Sequence, residues 1–301
     1  MTGPSDMAVV VCYFNHHDFD TPIRNLRRFC RFMKQVGANL YGMEMLSPNG
    51  KSETAGLYGE WTTVAGNNKT YLWQKEAMWN RVAATLPSRF TKVFCCDTDI
   101  WFENLEFLNL TSIALDTSKV VMPFTKAIWT DHRGKEYRER DDALTAYKRT
   151  GKYNEEGHQG FATAFNRDLW NKKINIFSYT ITGAGDSAMW CALTNDENQR
   201  KYVIRYGVGG DAMLPNFDRW AAQLREWCGD AIGNVPGTIY HEHHGNRDNR
   251  NYMKRHDAIQ GMLPQHLAVR VDGLIQWTDT APMDMMYGVY KYFFDRKEDA
   301  L

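Results

Sequence analysis

Lys92-Val93-Phe94-Cys95-Cys96-Asp97-Thr98-Asp99-Ile100-Trp101-Phe102 is the stretch on which the reading of this chain turns. Val93 to Cys96 has the length and flanks of a buried strand. It stops at two carboxylates one residue apart, and Ile100, Trp101 and Phe102 then return the chain to apolar surroundings. In an open α/β sheet, ligands collect at the carboxyl ends of the strands. An Asp-x-Asp placed there offers hard oxygens to a divalent cation, which in turn can hold a diphosphate. A surface turn is the plainer reading, since Asp is common in turns.

Working outward, Met7 to Phe14 is a continuous apolar run and predicts a buried first strand. Thr21-Pro22 reads as a helix start, Thr as N-cap and Pro in the first turn. Ile23, Leu26, Phe29 or Cys30, Met33 and Val36 keep helical spacing until Gly37. Asn39 to Leu46 predicts a second strand, completing the βαβ order of a nucleotide-binding α/β fold. Residues 47–66 read as loop, and Thr70 to Leu86 as a helix ended by Pro87. Lys119 to Phe124 and Phe161 to Asn166 are further strands, with a short helix at Arg167 to Lys173. The segment 125–156 is dense in charge of both signs and reads as a solvated excursion or lid between a 7–124 half and a 157–301 half. Helices are expected after Asp186, over Asp218 to Trp227, Asn249 to Gln260 and Met283 to Lys297, with a short strand at Thr238 to Tyr240. The whole of 7–301 is expected to form one domain.

The 301 residues permit a substantial core, and 43% hydrophobic with 24% charged residues describes a globular chain rather than a disordered one. Lys plus Arg and Asp plus Glu both number 36, which argues against a uniformly basic nucleic-acid coat. Ten Trp, 15 Tyr and 15 Phe supply both core and stacking surfaces. The six cysteines form no CxxC and suit reduced structural thiols in a cytoplasmic protein. No signal peptide is visible at Met1 to Asp6, and no apolar run reaches the length of a membrane span.

Two further clusters carry chemistry. His241-Glu242-His243-His244-Gly245-Asn246-Arg247 follows a predicted short strand. It can supply an imidazole to a cation already bound by carboxylates, a mixed set that Mn²⁺ accepts more readily than Mg²⁺. Gly245 would let the backbone approach a ligand, and Arg247 could pair with a phosphate. An exposed polar loop is the alternative. Thr182-Gly183-Ala184-Gly185-Asp186 is a tight turn into a helix. Asp186 there is either a cap or a general base for an attacking hydroxyl.

In this order the three clusters resemble the metal-dependent glycosyltransferases of the GT-A fold, a Rossmann-like α/β architecture with a mixed central sheet flanked by helices. The likeness is nearest to family-2-like bacterial and phage transferases, through Tyr13-Phe14-Asn15, the Leu72 to Glu76 run (Leu-Trp-Gln-Lys-Glu) and the His241 to Gly245 run. The resemblance implies a nucleotide-sugar donor, most simply a UDP-sugar, with Tyr13, Phe14 and Asn15 at the base. It implies Mn²⁺ or Mg²⁺ held by Asp99, helped by Asp97 and by His244 or His241, with Lys75 or Arg247 sharing the diphosphate charge. Asp186 would deprotonate the acceptor, giving inversion; if it is only a cap, retention stays open. The acceptor would be a hydroxymethylated pyrimidine in phage DNA, or a hydroxyl on a cell-surface glycan or lipid-linked sugar. A nucleotidyl transferase and a sugar-binding module without transfer activity are the competing readings.

Overall fold

The computed structural model describes residues 2–47, 49–151, 157–196, 200–201, 203, 207–252 and 254–300, with Arg247 described for its backbone alone. The expected βαβ opening is present. Strand β1 (Met7–Phe14) is followed by a helix at Asp20–Gln35 and strand β2 (Leu40–Leu46), which pairs parallel to β1 with Val9 opposite Leu40. That helix begins at Asp20, not at a Thr21 cap: the Asp299 carboxylate accepts the amides of Asp20 (3.0 Å) and Thr21 (2.6 Å). The orphan donors of the first turn are thus satisfied from the far end of the chain.

Within 47–66, read from sequence as loop, lies strand β3 (Glu60–Ala65), parallel to β2. Its Trp61 ring covers Gly42, where an added Cβ would stand 2.4 Å from the indole. An edge strand needs only one apolar face, so its Trp and Val are diluted among polar neighbours. The next helix spans Lys75–Thr85 and not the expected Thr70 start. Gln74 is withdrawn from it by bonds to the backbone of Ile275, donating to the carbonyl (2.7 Å) and accepting from the amide (2.9 Å).

Strand β4 (Lys92–Cys96) is fully buried and pairs parallel to β1 on the side opposite β2. After β5 (Ile100–Phe102) come β6 (Val120–Met122), β7 (Lys126–Thr130), β8 (Glu136–Asp142), β9 (Gly157–His158) and β10 (Ala162–Asn166). Two further strands, β11 (Ile232–Asn234) and β12 (Thr238–His241), precede a small hairpin of β13 (Leu267–Val269) and β14 (Ile275–Trp277). The central sheet has seven strands in the order β11-β6-β10-β4-β1-β2-β3, with β10 antiparallel to both neighbours. It is therefore the expected mixed sheet flanked by helices. Its order reverses between β1 and β4, so their carboxyl ends diverge into a crevice at Asn15 and Asp97.

A second sheet, β5-β12-β7-β8-β9, stands across that crevice. It absorbs most of the segment read as a solvated excursion. Lys126–Thr130 is largely buried, and Asp142 caps a helix at Ala143–Thr150 by accepting from Leu144 (2.8 Å) and Thr145 (3.1 Å). Residues 152–156 of that segment lie outside the described residues. The charges of β8 concealed a strand because its cleft face is itself basic, through Arg138 and Arg140. The predicted helix at Asn249 to Gln260 is instead two 3-10 segments, Arg247–Arg250 and Lys254–Ile259. Helices at Gly185–Thr194, Leu214–Cys228 and Met283–Asp295 agree with the readings that placed them. All six cysteines are free thiols, and five are buried. No helix of the described residues is long and apolar enough to cross a membrane.

Candidate functional site

Strand β5 begins immediately after Asp97-Thr98-Asp99 and pairs antiparallel with β12, His241 opposite Ile100. The amide of Glu242 then donates to the Asp99 carbonyl at 2.7 Å. Through this pairing a loop some 140 residues downstream is carried to the Asp-x-Asp. Asp99 Oδ2 lies 2.6 Å from His244 Nδ1 and 3.5 Å from His241 Nε2. One ligand atom from each of the three residues falls within 4.8 Å of the others.

The electrostatics suit a cation. Burial pushes the His241 imidazole down to about 4, against the pull of Asp99, and holds His244 well below its ordinary value, so both rings are neutral at pH 7. Burial would raise the Asp99 carboxyl, but the His244 hydrogen bond and the charge of Arg250 act the other way and hold it low. The other carboxylate oxygen, Asp99 Oδ1, is buried without a hydrogen-bond partner among the described residues. A buried anionic oxygen without a donor costs stability unless something supplies positive charge. One carboxylate and two neutral imidazoles form an O/N donor set appropriate to Mn²⁺, and Mg²⁺ is the harder-oxygen alternative.

The loop that carries the histidines is braced on three sides. Asn25 donates to the His243 carbonyl (2.9 Å), Arg28 pairs with Glu242 (3.2 Å), and Arg250 bridges the His244 carbonyl (3.2 Å) and Glu298 (3.1 Å). His243 turns away, its Nε2 3.0 Å from the Ala300 carbonyl. Gly245, expected to admit a ligand, instead admits the chain's own end: a Cβ there would stand 2.8 Å from Glu298 Cα. His241 is further held by Phe161, whose ring stacks on it at 4.4 Å and 17°. Phe161 has φ 77, a left-handed conformation that a bulky side chain adopts only under constraint.

Asp97 faces the same cleft but does not join the Asp99 cluster. Its Oδ1 accepts from Lys75 Nζ at 3.0 Å. Burial, relieved by Lys75, leaves the Asp97 carboxyl raised to about 6. Lys75 is itself buried at the start of its helix, beneath the rings of Trp73 and Trp79. Tyr13, Phe14 and Asn15 line the cleft, which measures about 380 Å³. Asn15 is largely occupied in shaping its own turn, donating to the Phe19 carbonyl (2.8 Å) and accepting from the Phe19 amide (3.0 Å). The Tyr13 hydroxyl donates to Glu53 at 2.6 Å. The Arg247 side chain lies outside what is described.

Asp186 opens onto the cleft in the first turn of the Gly185–Thr194 helix, where its Oδ1 accepts from the Ser187 amide at 2.7 Å. It is not the N-cap: Ala184, with φ 82, occupies that position. Cleft residues that went unassigned from the sequence include Glu76 and His158. Glu76 carried a signal, an acid beside Lys75 within the Leu-Trp-Gln-Lys-Glu run. Arg138 packs over Trp129 at 4.8 Å, and Trp129 meets His158 edge-on at 4.7 Å, forming the roof contributed by the second sheet.

No protein-family model matches the chain, and no curated protein matches it. Several solved structures are similar to it. A 4-diphosphocytidyl-2C-methyl-D-erythritol synthase from Anaerococcus prevotii is 12% identical, covering 77% of this chain and 88% of that one, with a TM-score of 0.37. The catalytic domain of Drosophila β1,4-galactosyltransferase 7, in complex with xylobiose, is 10% identical over 63% of this chain and 60% of its own, TM-score 0.36. Galactosyltransferase LgtC, in complex with donor and acceptor sugar analogs, is 10% identical over 96% and 95%, TM-score 0.36. At such identities and TM-scores these likenesses carry no argument for the chemistry of this chain.

Proposed function

We propose that the protein is a metal-dependent glycosyltransferase that moves a sugar from a nucleotide-sugar, with UDP as the expected nucleotide, to an acceptor hydroxyl with inversion. The observation that supports this reading is the convergence of Asp99, His241 and His244 beside Asp97, at the strand ends where β1 and β4 diverge. Asp99, His241 and His244 would hold Mn²⁺ or Mg²⁺, with Asp97 oriented by Lys75 toward the ribose or a cation-bound water. Such a cation supplies charge neutralisation to a departing diphosphate. Tyr13, Phe14 and Asn15 form the wall offered to the base, and Lys75 would share the charge of the diphosphate in this reading. Asp186 would accept the proton of the acceptor hydroxyl; its carboxylate opens onto the same cleft.

Arg138 and Arg140 line the cleft and would suit a phosphate-bearing acceptor such as hydroxymethylated DNA, whereas a neutral glycan would use the aromatic roof. The test is a screen of UDP- and GDP-sugars for Mn²⁺-dependent hydrolysis and transfer, with and without hydroxymethylated DNA and with oligosaccharide acceptors. The Asp99→Ala variant is expected to lose all metal-dependent turnover. Unchanged turnover in that variant overturns the metal assignment. Absence of stimulation by modified DNA removes the DNA acceptor.

A further inference from the structure

Three arginines from the C-terminal part of the chain meet on one wall of the cleft. Arg250, Arg255 and Arg296 all line it, with Glu298 among them. Arg250 and Arg296 are only 8% and 7% exposed. Among the described residues one carboxylate pairs with any of the three: Glu298, which lies 3.1 Å from Arg250 and also meets Arg296. Asp99 is within the field of Arg250 but belongs to the cation site. Three guanidinium groups sharing one carboxylate leave a surplus of two positive charges. The protein does not answer it elsewhere: Nε of Arg250 and Nε of Arg296 are buried without a hydrogen-bond partner among the described residues. Burial of charge beyond what its partners neutralise is unfavourable, so the wall is poised for an anion.

An Arg–Glu–Arg clasp that only braced the histidine loop would need no third guanidinium, yet Arg255 is held in place. His256 Nε2 accepts from Arg255 Nε at 3.1 Å. An arginine nitrogen only donates, so the proton of this imidazole sits on Nδ1, 2.8 Å from the Thr182 hydroxyl. His256 is fully buried, and burial, with Arg255 beside it, pushes it down to about 3, so the ring stays neutral. The tip of Arg255 rests against Gly183, where a Cβ would stand 3.0 Å from Nη1, and Nη1 donates to the Tyr292 hydroxyl at 3.4 Å. Arg296 lies over the rings of Trp73 (5.2 Å) and Tyr292 (5.9 Å). Tyr292 therefore senses all three arginines. Burial would raise its phenol, but Arg296, Arg255 and Arg250 outweigh burial and draw it below its ordinary value.

We propose that Arg250, Arg255 and Arg296 form a seat for one phosphoryl dianion that binds without the cation, beside the Asp99 cluster. The surplus of two charges matches a phosphate monoester, which carries about two negative charges at pH 7. Forked guanidinium donors suit its oxygens, and arginine is hydrated weakly enough to serve on a largely buried wall. Glu298 holds Arg250 and Arg296 together and leaves the surplus in place. Two sources carry such a group, the terminal phosphate of a nucleotide or a phosphate borne by the acceptor. The seat rests on its own residues; only the choice of source rests on the glycosyltransferase reading.

Calorimetric titration of the full chain with inorganic phosphate, in EDTA and at ionic strength held constant with chloride, reads the seat directly. The wild type should take up one phosphate per chain, and its Tm in EDTA should rise with phosphate but not with chloride. Arg255→Gln should weaken phosphate binding about 10- to 100-fold, the loss of a hydrogen bond to a charged group. Its response of Tm to Mn²⁺ should stay that of the wild type, which a general loss of structure would not allow. Arg296→Gln supplies the same comparison if Arg255→Gln does not fold. Competition then separates the sources. Displacement of phosphate by UDP assigns the seat to the nucleotide; displacement by a 5′-phosphorylated oligonucleotide, but not by its 5′-hydroxyl form, assigns it to the acceptor. No phosphate binding by the wild type, or undiminished binding in both arginine variants, overturns the proposal. A protein that binds phosphate here but turns over no nucleotide-sugar keeps the seat and loses the glycosyltransferase reading.

Discussion

His244→Ala separates a cation site from a chance cluster, because the substitution should lower the stability of the metal-free protein and, separately, abolish most of the gain that metal gives. Without metal, the buried Asp99 carboxylate loses its 2.6 Å partner. A hydrogen bond to a charged group contributes about 1.5–3 kcal/mol. At about 2.1 cal/mol/K per residue, a chain of 301 residues unfolds with an entropy near 0.6 kcal/mol/K, so each kcal/mol moves Tm by about 1.6 °C. The variant in EDTA should therefore melt about 2–5 °C below wild type. With Mn²⁺ at about 100 times its Kd, binding stabilises the wild type by about 2.7 kcal/mol, or about 4 °C. Loss of partners in the outer shell of a metal site costs 10–100-fold in affinity. A direct ligand should cost at least about 100-fold, which at the same Mn²⁺ leaves about 0.4 kcal/mol and a shift below about 1 °C. Differential scanning calorimetry of both proteins, with Mn²⁺ and with EDTA, reads all four values. A His244→Ala variant that keeps the full Mn²⁺ shift refutes the reasoning, as does a wild type whose Tm is indifferent to Mn²⁺ at any concentration.

Asp299→Ala should cost about 0.5–2 kcal/mol in urea unfolding, since it removes the acceptor for the first two amides of the Asp20–Gln35 helix. No measurable change would mean that solvent replaces the cap. Lys75→Met leaves the half-buried Asp97 carboxylate without its partner and should destabilise by about 1.5–3 kcal/mol. Lys75 is what lowers Asp97, so the acid limb of the pH–turnover profile should also move upward; an unmoved limb disconnects Asp97 from turnover. His16 is buried and held neutral, its imidazole pushed down to about 3 by burial. Because the folded value is depressed, the unfolded chain binds the extra proton below about pH 6.5, and the stability present above that pH is lost as the pH falls toward 3. His16→Gln should therefore shrink the stability difference between pH 7 and pH 5 by about 2 kcal/mol, measured by urea unfolding at both values.

Local pattern was enough for part of this protein. The apolar runs at Met7 to Phe14 and Val93 to Cys96 stand as central strands because a strand buried on both faces must be apolar at every position. Asp97 and Asp99 followed from them, since a strand end in a parallel sheet is where the backbone leaves the core. Patterns that rely on one face failed where that face was polar or narrow. Glu60–Ala65 is an edge strand with little to bury, and Glu136–Asp142 turns arginines toward a cleft, so neither looked like a strand.

What the sequence by itself determined is the α/β core, the Asp-x-Asp at its rim, and the presence of imidazoles elsewhere able to complete a donor set. Tertiary structure alone decided which imidazoles meet Asp99. Pairing of Ile100–Phe102 with Thr238–His241 brings His241 and His244 to Asp99, while His243, one residue from His244, is turned to the C-terminal segment. It also parted the two aspartates, giving Asp97 to Lys75 and Asp99 to the histidines. The cap on the first helix comes from Asp299, and one of the braces of the histidine loop runs through Arg250 to Glu298, both beyond the reach of any local pattern. The physical reason is common to all of these. A buried charge is tolerable only beside a partner, and which partner it meets is set by how distant segments pack together, not by the neighbours it has along the chain.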